Sequence, residues 1–393
     1  MFSIKLRAQV ILPALILGLS AGCGEALYDD LDFDREEVGV FRAAAVEEPV
    51  MTSTQTQLKV LTWNVKYGAG RIPIWFDCWG DRVSMTAEEV EANMSGLYAL
   101  INEYDPDIMM AQEIELNSRR SAYYNMIQGI LDNTKLNYGG YMQSWSSRYI
   151  AADGLGRMDL GNAIFSKYPI SKAERIRQAD RTDQDALTAA FYIRRVIGRT
   201  EIKISDSLTV AAYVVHSAAY DTDGTKQKHI KQIEDTVKAE TLPFVLGGDF
   251  NELPLNAAKL EDFADERSTA VCSDDFAAQP YTPEVMRYFF DELKPSITIA
   301  EYGDTEEAQK RYYTHSVLGP DDRDEEGNPG DWGRTLDYLF VNSNSDWVTG
   351  STDVIQTSGQ KIGGDNGTGP VVQSDVLRLS DHAPVVGTWV VQP

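Results

Sequence analysis

Polar residues able to do chemistry recur at the ends of apolar runs along this sequence. Asn64 ends LKVLTWN, Glu113 ends DIMMAQE, and His216 ends LTVAAYVVH. Asp249 and Asn251 follow PFVLGG, Asp337 stands in LDYLF, and Asp381 and His382 precede PVVGTWVV. A side chain at a strand end projects into a cleft while its apolar neighbours hold it rigidly. Asn, Glu and Asp are oxygen ligands for a hard cation such as Mg2+. Imidazoles transfer protons or contact phosphate near neutral pH. The chain has only four His, and two of them belong to this set. Singly, each residue is explained equally well by a turn, a cap or a satisfied half-buried imidazole. The recurrence at strand end after strand end argues for one shared site.

The elements that must position these residues alternate between strand and helix. Strands are expected at 58–64, 107–113, 161–166, 208–216, 243–250, 336–342 and 384–391. A helix is expected at 86–104, where Val90, Met94, Leu97 and Ile101 fall at three- and four-residue spacing before Asp105 and Pro106 stop it. Further helices are expected at 122–131 and 225–240. Many strands are almost continuously apolar, which suits sheets covered by helices on one face and by a second sheet on the other. Residues 255–333 break the rhythm and read as an insertion on the same domain, holding Cys272, the aromatic cluster Tyr288, Phe289 and Phe290, and an acidic stretch. That stretch does not complete a calcium loop, because Gly333 stands at the twelfth position counted from Asp322.

Composition sets the outer bounds. The chain has 393 residues, 43% hydrophobic and 24% charged, enough for a full core. With 36 Lys and Arg against 60 Asp and Glu, the formal net charge is -24. Coating a nucleic acid needs a basic face, so that role is disfavoured, although a local basic cleft is not. Residues 1–23 start with Lys5 and Arg7, continue as an apolar run and end in Ser20, Ala21, Gly22 and Cys23. This is the pattern of a secretory signal. Residues 24–57 are strongly acidic and are expected to form an extended or disordered tether before a folded domain at 58–393.

The motifs TWN, QE, GNAIFSKYPI, VVH, GGDFN, TLDYLF and SDHAPV occur in that order between about residues 58 and 391. Together they resemble the successive motifs of the endonuclease/exonuclease/phosphatase superfamily. The resemblance implies a four-layer α/β sandwich, with two mixed, mostly antiparallel sheets packed face to face and flanked by helices. It implies metal-site roles for Asn64, Glu113 and Asp381, with Glu113 the main ligand of Mg2+ (Mn2+ or Ca2+ being alternatives). Asp249 and Asn251 match the pair that handles the attacking water and the phosphate. His382 matches the His on the scissile phosphate, Asp337 the carboxylate that orients it, and His216 the His on the opposite side. Asn162 falls where relatives carry a substrate-facing Asn. Arg119 or Arg120 is a candidate to reach substrate phosphate or to brace the metal carboxylate. His229 and His315 carry no motif and are expected to be surface or structural. The end of the signal segment resembles a lipobox, which implies lipidation of Cys23, an anchor at the bacterial cell envelope and no membrane span.

The expected function is metal-dependent hydrolysis of a phosphate ester by a monomer. The ester stays open between a small molecule, a lipid and a nucleic acid. An extracellular or periplasmic nuclease is the alternative, and a non-catalytic binding module the second. The loop carrying Trp75, Phe76 and Trp79 could serve substrate or merely pack, and Cys78 within it could pair with Cys272 in an oxidising compartment.

Overall fold

The computed structural model describes residues 32–47, 49, 56–74, 80–151, 154–219, 221–261, 263, 280–324, 327–363 and 375–391. Cys23 with its signal segment, the loop residues Trp75, Phe76, Cys78 and Trp79, and Cys272 lie outside the described residues, and the lipidation and disulfide readings lie there with them.

Among the described residues the strands are, in chain order, β1 (Arg35–Glu37), β2 (Val40–Arg42), β3 (Gln57–Asn64), β4 (Ile108–Glu115), β5 (Tyr138–Ile150), β6 (Gly156–Ser166), β7 (Ile170–Arg177) and β8 (Val196–Lys203). They continue as β9 (Thr209–His216), β10 (Phe244–Asp249), β11 (Lys294–Pro295), β12 (Asp337–Val341), β13 (Asp346–Trp347), β14 (Asp353–Val354) and β15 (Val385–Val390). One sheet has the order β13-β15-β3-β4-β6-β5-β2, with β14 also on β15, and the other has the order β1-β7-β8-β9-β10-β12-β11. Two pairs are parallel, β3 with β4 and β9 with β10. A parallel pair needs a crossover. The helices Ala87–Tyr104 and Thr225–Lys238 supply the two crossovers, so Asn64, the 112–115 stretch, His216 and Asp249 all arrive at strand ends of one orientation. The architecture is the expected sandwich of two mixed sheets with flanking helices.

Local signals account for the crossover helices. Thr86 and Glu89 form a reciprocal capping box at the start of Ala87–Tyr104, and Asp105 ends it with a left-handed φ of 46°. Its face of Val90, Met94, Leu97 and Ile101 is buried, as the spacing predicts. Ile230, Ile233 and Val237 do the same for Thr225–Lys238.

The two glycines of GGDFN are required by packing. A Cβ on Gly247 would lie 2.6 Å from Met110 Cε and 3.1 Å from Thr62 Cβ, across the sheet–sheet interface. A Cβ on Gly248 would meet Val215 O at 2.1 Å, within the β9–β10 ladder. The glycines therefore let β10 approach both its neighbour and the opposite sheet, which draws Asp249 towards Asn64. The insertion supports the same motif from behind. Phe250 sits among Phe289, Tyr338 and Phe340 with ring centroids 5.2, 5.6 and 5.8 Å away, all edge-on.

The acidic segment differs from expectation over residues 35–42. Instead of remaining a tether there, it closes the edges of both sheets, β1 on β7 and β2 on β5. Open ladder positions and nearby arginines explain this: Arg175 pairs with Glu36 at 2.6 Å and Arg35 with Glu174 at 3.2 Å. Among the described residues, no helix is long and apolar enough to cross a membrane.

Candidate active site

The ends of β3, β4, β9 and β10 converge with β12 and the Asp381–His382 turn. Glu113 is delivered by a defect in β4. Its ladder with β6 runs to Ala111↔Ala163, shifts, and resumes at Ile114↔Gly161, and Glu113 takes a left-handed φ of 59° within the shift. A bulge re-aims a side chain that a regular strand would point elsewhere. Asn64 then ties two carboxylates together, its Nδ2 donating to Glu113 Oε1 at 3.1 Å and to Asp249 Oδ2 at 3.2 Å. Its Oδ1 accepts from the backbone N–H of Lys66 at 3.1 Å, so the amide turns its NH2 to the two carboxylates, and serving a cation would require Oδ1 to turn into the cluster.

Asp249 is the hub. Its Oδ1 accepts from the Asn251 backbone N–H at 2.8 Å. Its Oδ2 lies 3.4 Å from His216 Nε2 and 3.6 Å from His382 Nε2. His382 is oriented from its other side, where Nδ1 and Asp337 Oδ2 are 2.7 Å apart. Asp337 is held in turn, its backbone N–H donating to Thr314 Oγ1 at 3.1 Å. Asp381 is ion-paired to Lys66 Nζ at 3.6 Å.

The electrostatics divide these groups by role. Burial lowers the His382 pKa, but Asp337 and Asp249 outweigh it and push the imidazole up to about 10, so it is a cation at neutral pH. Burial raises the Asp249 carboxyl, with Asp337 adding to the rise and His382 opposing it. Desolvation and the charge of Asp381 raise Glu113. Burial opposes ionisation of Asp381, yet Lys66 and His382 hold it below the usual carboxylate range. His216 is held well below 6.5 by burial and by Arg195, which makes it a neutral imidazole.

The other expected residues fall in different places. Asn162 is buried on β6 between Gly161 and Ala163, and so lies opposite the bulge that carries Glu113. Asn251 has a left-handed φ of 50° and donates its side-chain amide to Ser217 O at 3.0 Å. Arg120 is buried at the bulge. It is 3% exposed, its Nε and Nη2 donate to Glu115 Oε1 at 3.1 and 2.6 Å, and its guanidinium lies 3.5 Å from the centre of the Tyr67 ring. These contacts hold Glu115, two residues beyond the metal-site Glu113, and not the carboxylate of Glu113 itself. Arg119 is exposed. His229 takes the structural role of the two expected for it. It is buried, with Nδ1 accepting from Ala218 N at 3.2 Å and Nε2 2.7 Å from Ala179 O.

Two residues at the site escaped the sequence reading. His315 stands with its ring centroid 4.6 Å from that of His382. Burial and the positive charge of His382 hold its pKa well below 6.5. Arg195 precedes β8 and acts electrostatically on His216, Glu113 and Asp249. Neither lies in a motif. The scarcity of His was a usable signal for His315; nothing marked Arg195 among 36 basic residues.

The donor set fits a hard divalent cation. Glu113 and Asp381 repel one another, Asn64 adds an amide beside them, and Asp337 Oδ1 is buried without a partner. A cation among such acids relieves that cost. Two groups, Asp249 with Asp337 and His382, and His315 with Asp381 and His382, have ligand atoms within 4.8 Å of one another. Both include His382, whose Nδ1 is engaged by Asp337, which leaves Nε2 as its ligand atom.

Two mixed sheets whose strand ends share one cluster of acids and imidazoles define an α/β-sandwich hydrolase. Residues 61–382 match the model of the Endonuclease/Exonuclease/phosphatase family, and the chain belongs to that family, whose members generally hydrolyse phosphate esters. An endonuclease/exonuclease/phosphatase from Beutenbergia cavernae is 14% identical, with 86% of this chain and 72% of that chain covered and a TM-score of 0.49. A mannosyl-6-phosphatase from Bacteroides thetaiotaomicron is 14% identical over 85% of this chain and 99% of its own, with a TM-score of 0.43. TDP2 from Caenorhabditis elegans is 15% identical over 87% and 77%, with a TM-score of 0.45. No curated protein matches the chain.

Proposed function

We propose that this protein is a Mg2+-dependent hydrolase of phosphate esters, carried at the bacterial cell envelope by a lipid on Cys23. The observation that carries the catalytic part is the chain of contacts from Asp337 through His382 to Asp249, Asn64 and Glu113 in one cluster. Asn64, Glu113 and Asp381 would hold the cation, which supplies Lewis acidity and a template for the phosphoryl group. Asp249, with its raised pKa and its fixed partners, is suited to take a proton from water. His382, cationic and oriented by Asp337, is suited to donate to phosphoryl oxygens as their charge grows. His216 offers a neutral imidazole from the Glu113 side, 4.0 Å from its Oε1. The envelope part rests on the signal pattern that ends at Cys23, and mass spectrometry of the mature N-terminus in a bacterial host tests it.

The catalytic proposal is tested with purified protein and Mg2+ on nucleotide, phospholipid, inositol-phosphate and DNA substrates. At least one is turned over, and Glu113→Gln and His382→Ala each lower that rate by about 10²-fold or more while the fold is kept. Near-full activity in either variant contradicts the assignment. The net charge of -24 favours small or lipid-derived esters over a long polyanion.

A further inference from the structure

His315 is clamped between the two segments that make the site. On one side its backbone pairs with Arg334, with His315 N donating to Arg334 O at 2.9 Å and Gly333 N to His315 O at 2.8 Å. On the other side it bridges to His382, flanked by Ser316 N to Asp381 O at 3.0 Å and Ala383 N to Thr314 O at 2.7 Å. Thr314 is fully buried and its Oγ1 accepts from Leu336 N and Asp337 N at 2.9 and 3.1 Å. Side chains alternate along an extended segment, so the next residue, His315, turns to the opposite side, where its ring meets His382.

The ring's tautomer is set by its neighbour. Arg334 Nε donates to His315 Nδ1 at 3.2 Å. A guanidinium can only donate, so Nδ1 carries the lone pair and Nε2 carries the proton. This separates two roles for the cluster of His315, Asp381 and His382, whose ligand atoms lie within 4.8 Å of one another. A cation site would need a lone pair on Nε2, which the Arg334 contact denies. A donor site needs an N–H there, which the same contact provides. The surroundings agree. Lys66 Nζ is 3.6 Å from Asp381 Oδ2, and Arg71 is anchored directly behind, its Nη1 donating to Ser316 O at 3.1 Å and its Nη2 to Val317 O. Positive side chains on this flank can neutralise an anionic oxygen bound at His315.

We propose that His315 is a substrate-binding residue, positioned by Arg334, whose Nε2–H donates to a phosphoryl oxygen beside His382 and Asp381. His216 and His382 already supply two imidazoles near Asp249. A third donor on a positively charged flank fits the third unesterified oxygen and the second negative charge that a phosphate monoester has and a diester lacks. The substrate class is therefore a phosphate monoester. This deepens the hydrolase proposal and rests on it.

The experiment compares wild type, His315→Ala and His315→Gln with p-nitrophenyl phosphate and bis(p-nitrophenyl) phosphate in Mg2+, alongside calorimetric binding of inorganic phosphate. His315→Ala weakens phosphate binding and lowers the monoester-to-diester ratio of kcat/KM by about 10-fold or more. His315→Gln keeps an N–H donor and recovers part of both, and it carries the test if the alanine variant misfolds. In ¹⁵N-labelled protein, Nδ1 of His315 shows the shift of an unprotonated nitrogen, and Arg334→Met removes that signature. An unchanged ratio, an equal loss on both esters, an unprotonated Nε2, or Zn2+ binding that is lost with His315 each overturn the proposal. A wild type that turns over no ester and binds no phosphate brings down the hydrolase proposal too. An active wild type silenced by Glu113→Gln but indifferent to His315 brings down this inference alone.

Discussion

Trp63 donates its indole N–H to the carbonyl oxygen of His382 at 2.8 Å, joining residues 319 positions apart. Next to it, Ser380 Oγ donates to Asn64 O at 2.7 Å. The first and last motifs of the chain are thus stitched together by buried hydrogen bonds at the point where Asn64 and His382 enter the site. Trp63→Phe keeps most of the apolar contact and leaves the His382 carbonyl without its donor. It should cost about 1–3 kcal/mol in urea denaturation and reduce turnover through misplacement of His382. Unchanged stability and turnover would mean that the bond does not position the imidazole.

Desolvation and the charge of Asp381 both weigh against an ionised Glu113 when no cation is bound. A thermal melt with and without Mg2+ reads this directly. Wild type should melt higher with saturating metal, because a ligand that binds only the folded state stabilises it by mass action. In chelator, Glu113→Gln should melt at or above wild type, since a repelled charge has gone. It should lose the metal-dependent rise. A rise of equal size in the variant would move the cation elsewhere.

The bond between Asp337 and His382 makes stability depend on pH. The His382 pKa stands at about 10 in the fold against an ordinary 6.5. The folded state binds the proton more tightly, so this contribution is fully present below about pH 6.5 and is lost as pH rises through about 10. In chelator, wild type should lose stability over that window. Asp337→Asn should flatten the profile and bring the imidazole titration, followed by NMR, back towards neutrality. A slope unchanged by the substitution would assign the dependence to other groups.

What could be seen in the sequence follows from how each feature is encoded. Strands β3, β4, β9, β10, β12 and β15 announce themselves as apolar runs, and their terminal polar residues include those that meet at the site. Strands β5, β7 and β8 were missed because their runs are interrupted by Ser, Lys, Glu and Arg, some of which face water or pair across the edges of the sheet. The bulge at Glu113 leaves no compositional mark, because it is a register shift imposed by the neighbouring strand. The sequence shows the charge of Arg120 but not the Tyr67 ring against which its guanidinium packs, so it could not choose between substrate and brace. His315 was missed because its position is set by pairing on both sides with residues 334 and 382, which no local pattern could show.

Lys226 and Glu252 form a buried pair behind the site, with Nζ 3.2 Å from Oε2 and side chains 2% and 0% exposed. The same Nζ donates to Asn251 O at 3.1 Å, beside the left-handed Asn251 backbone. Glu252 is further held by Leu253 N and Thr282 N at 3.1 and 2.8 Å. The ammonium therefore has two separable effects, neutralising a buried acid and pinning the carbonyl next to Asp249. Lys226→Met removes both, and it should cost about 3–5 kcal/mol because Glu252 is left as an unpaired buried charge. Adding Glu252→Gln removes that charge and should recover much of the stability. It cannot restore a donor to the Asn251 carbonyl, so turnover should stay low in the double variant. Denaturation and kinetics on the two variants separate the effects. A double variant that regains turnover along with stability would reduce Lys226 to a partner for Glu252, with no part in holding Asn251.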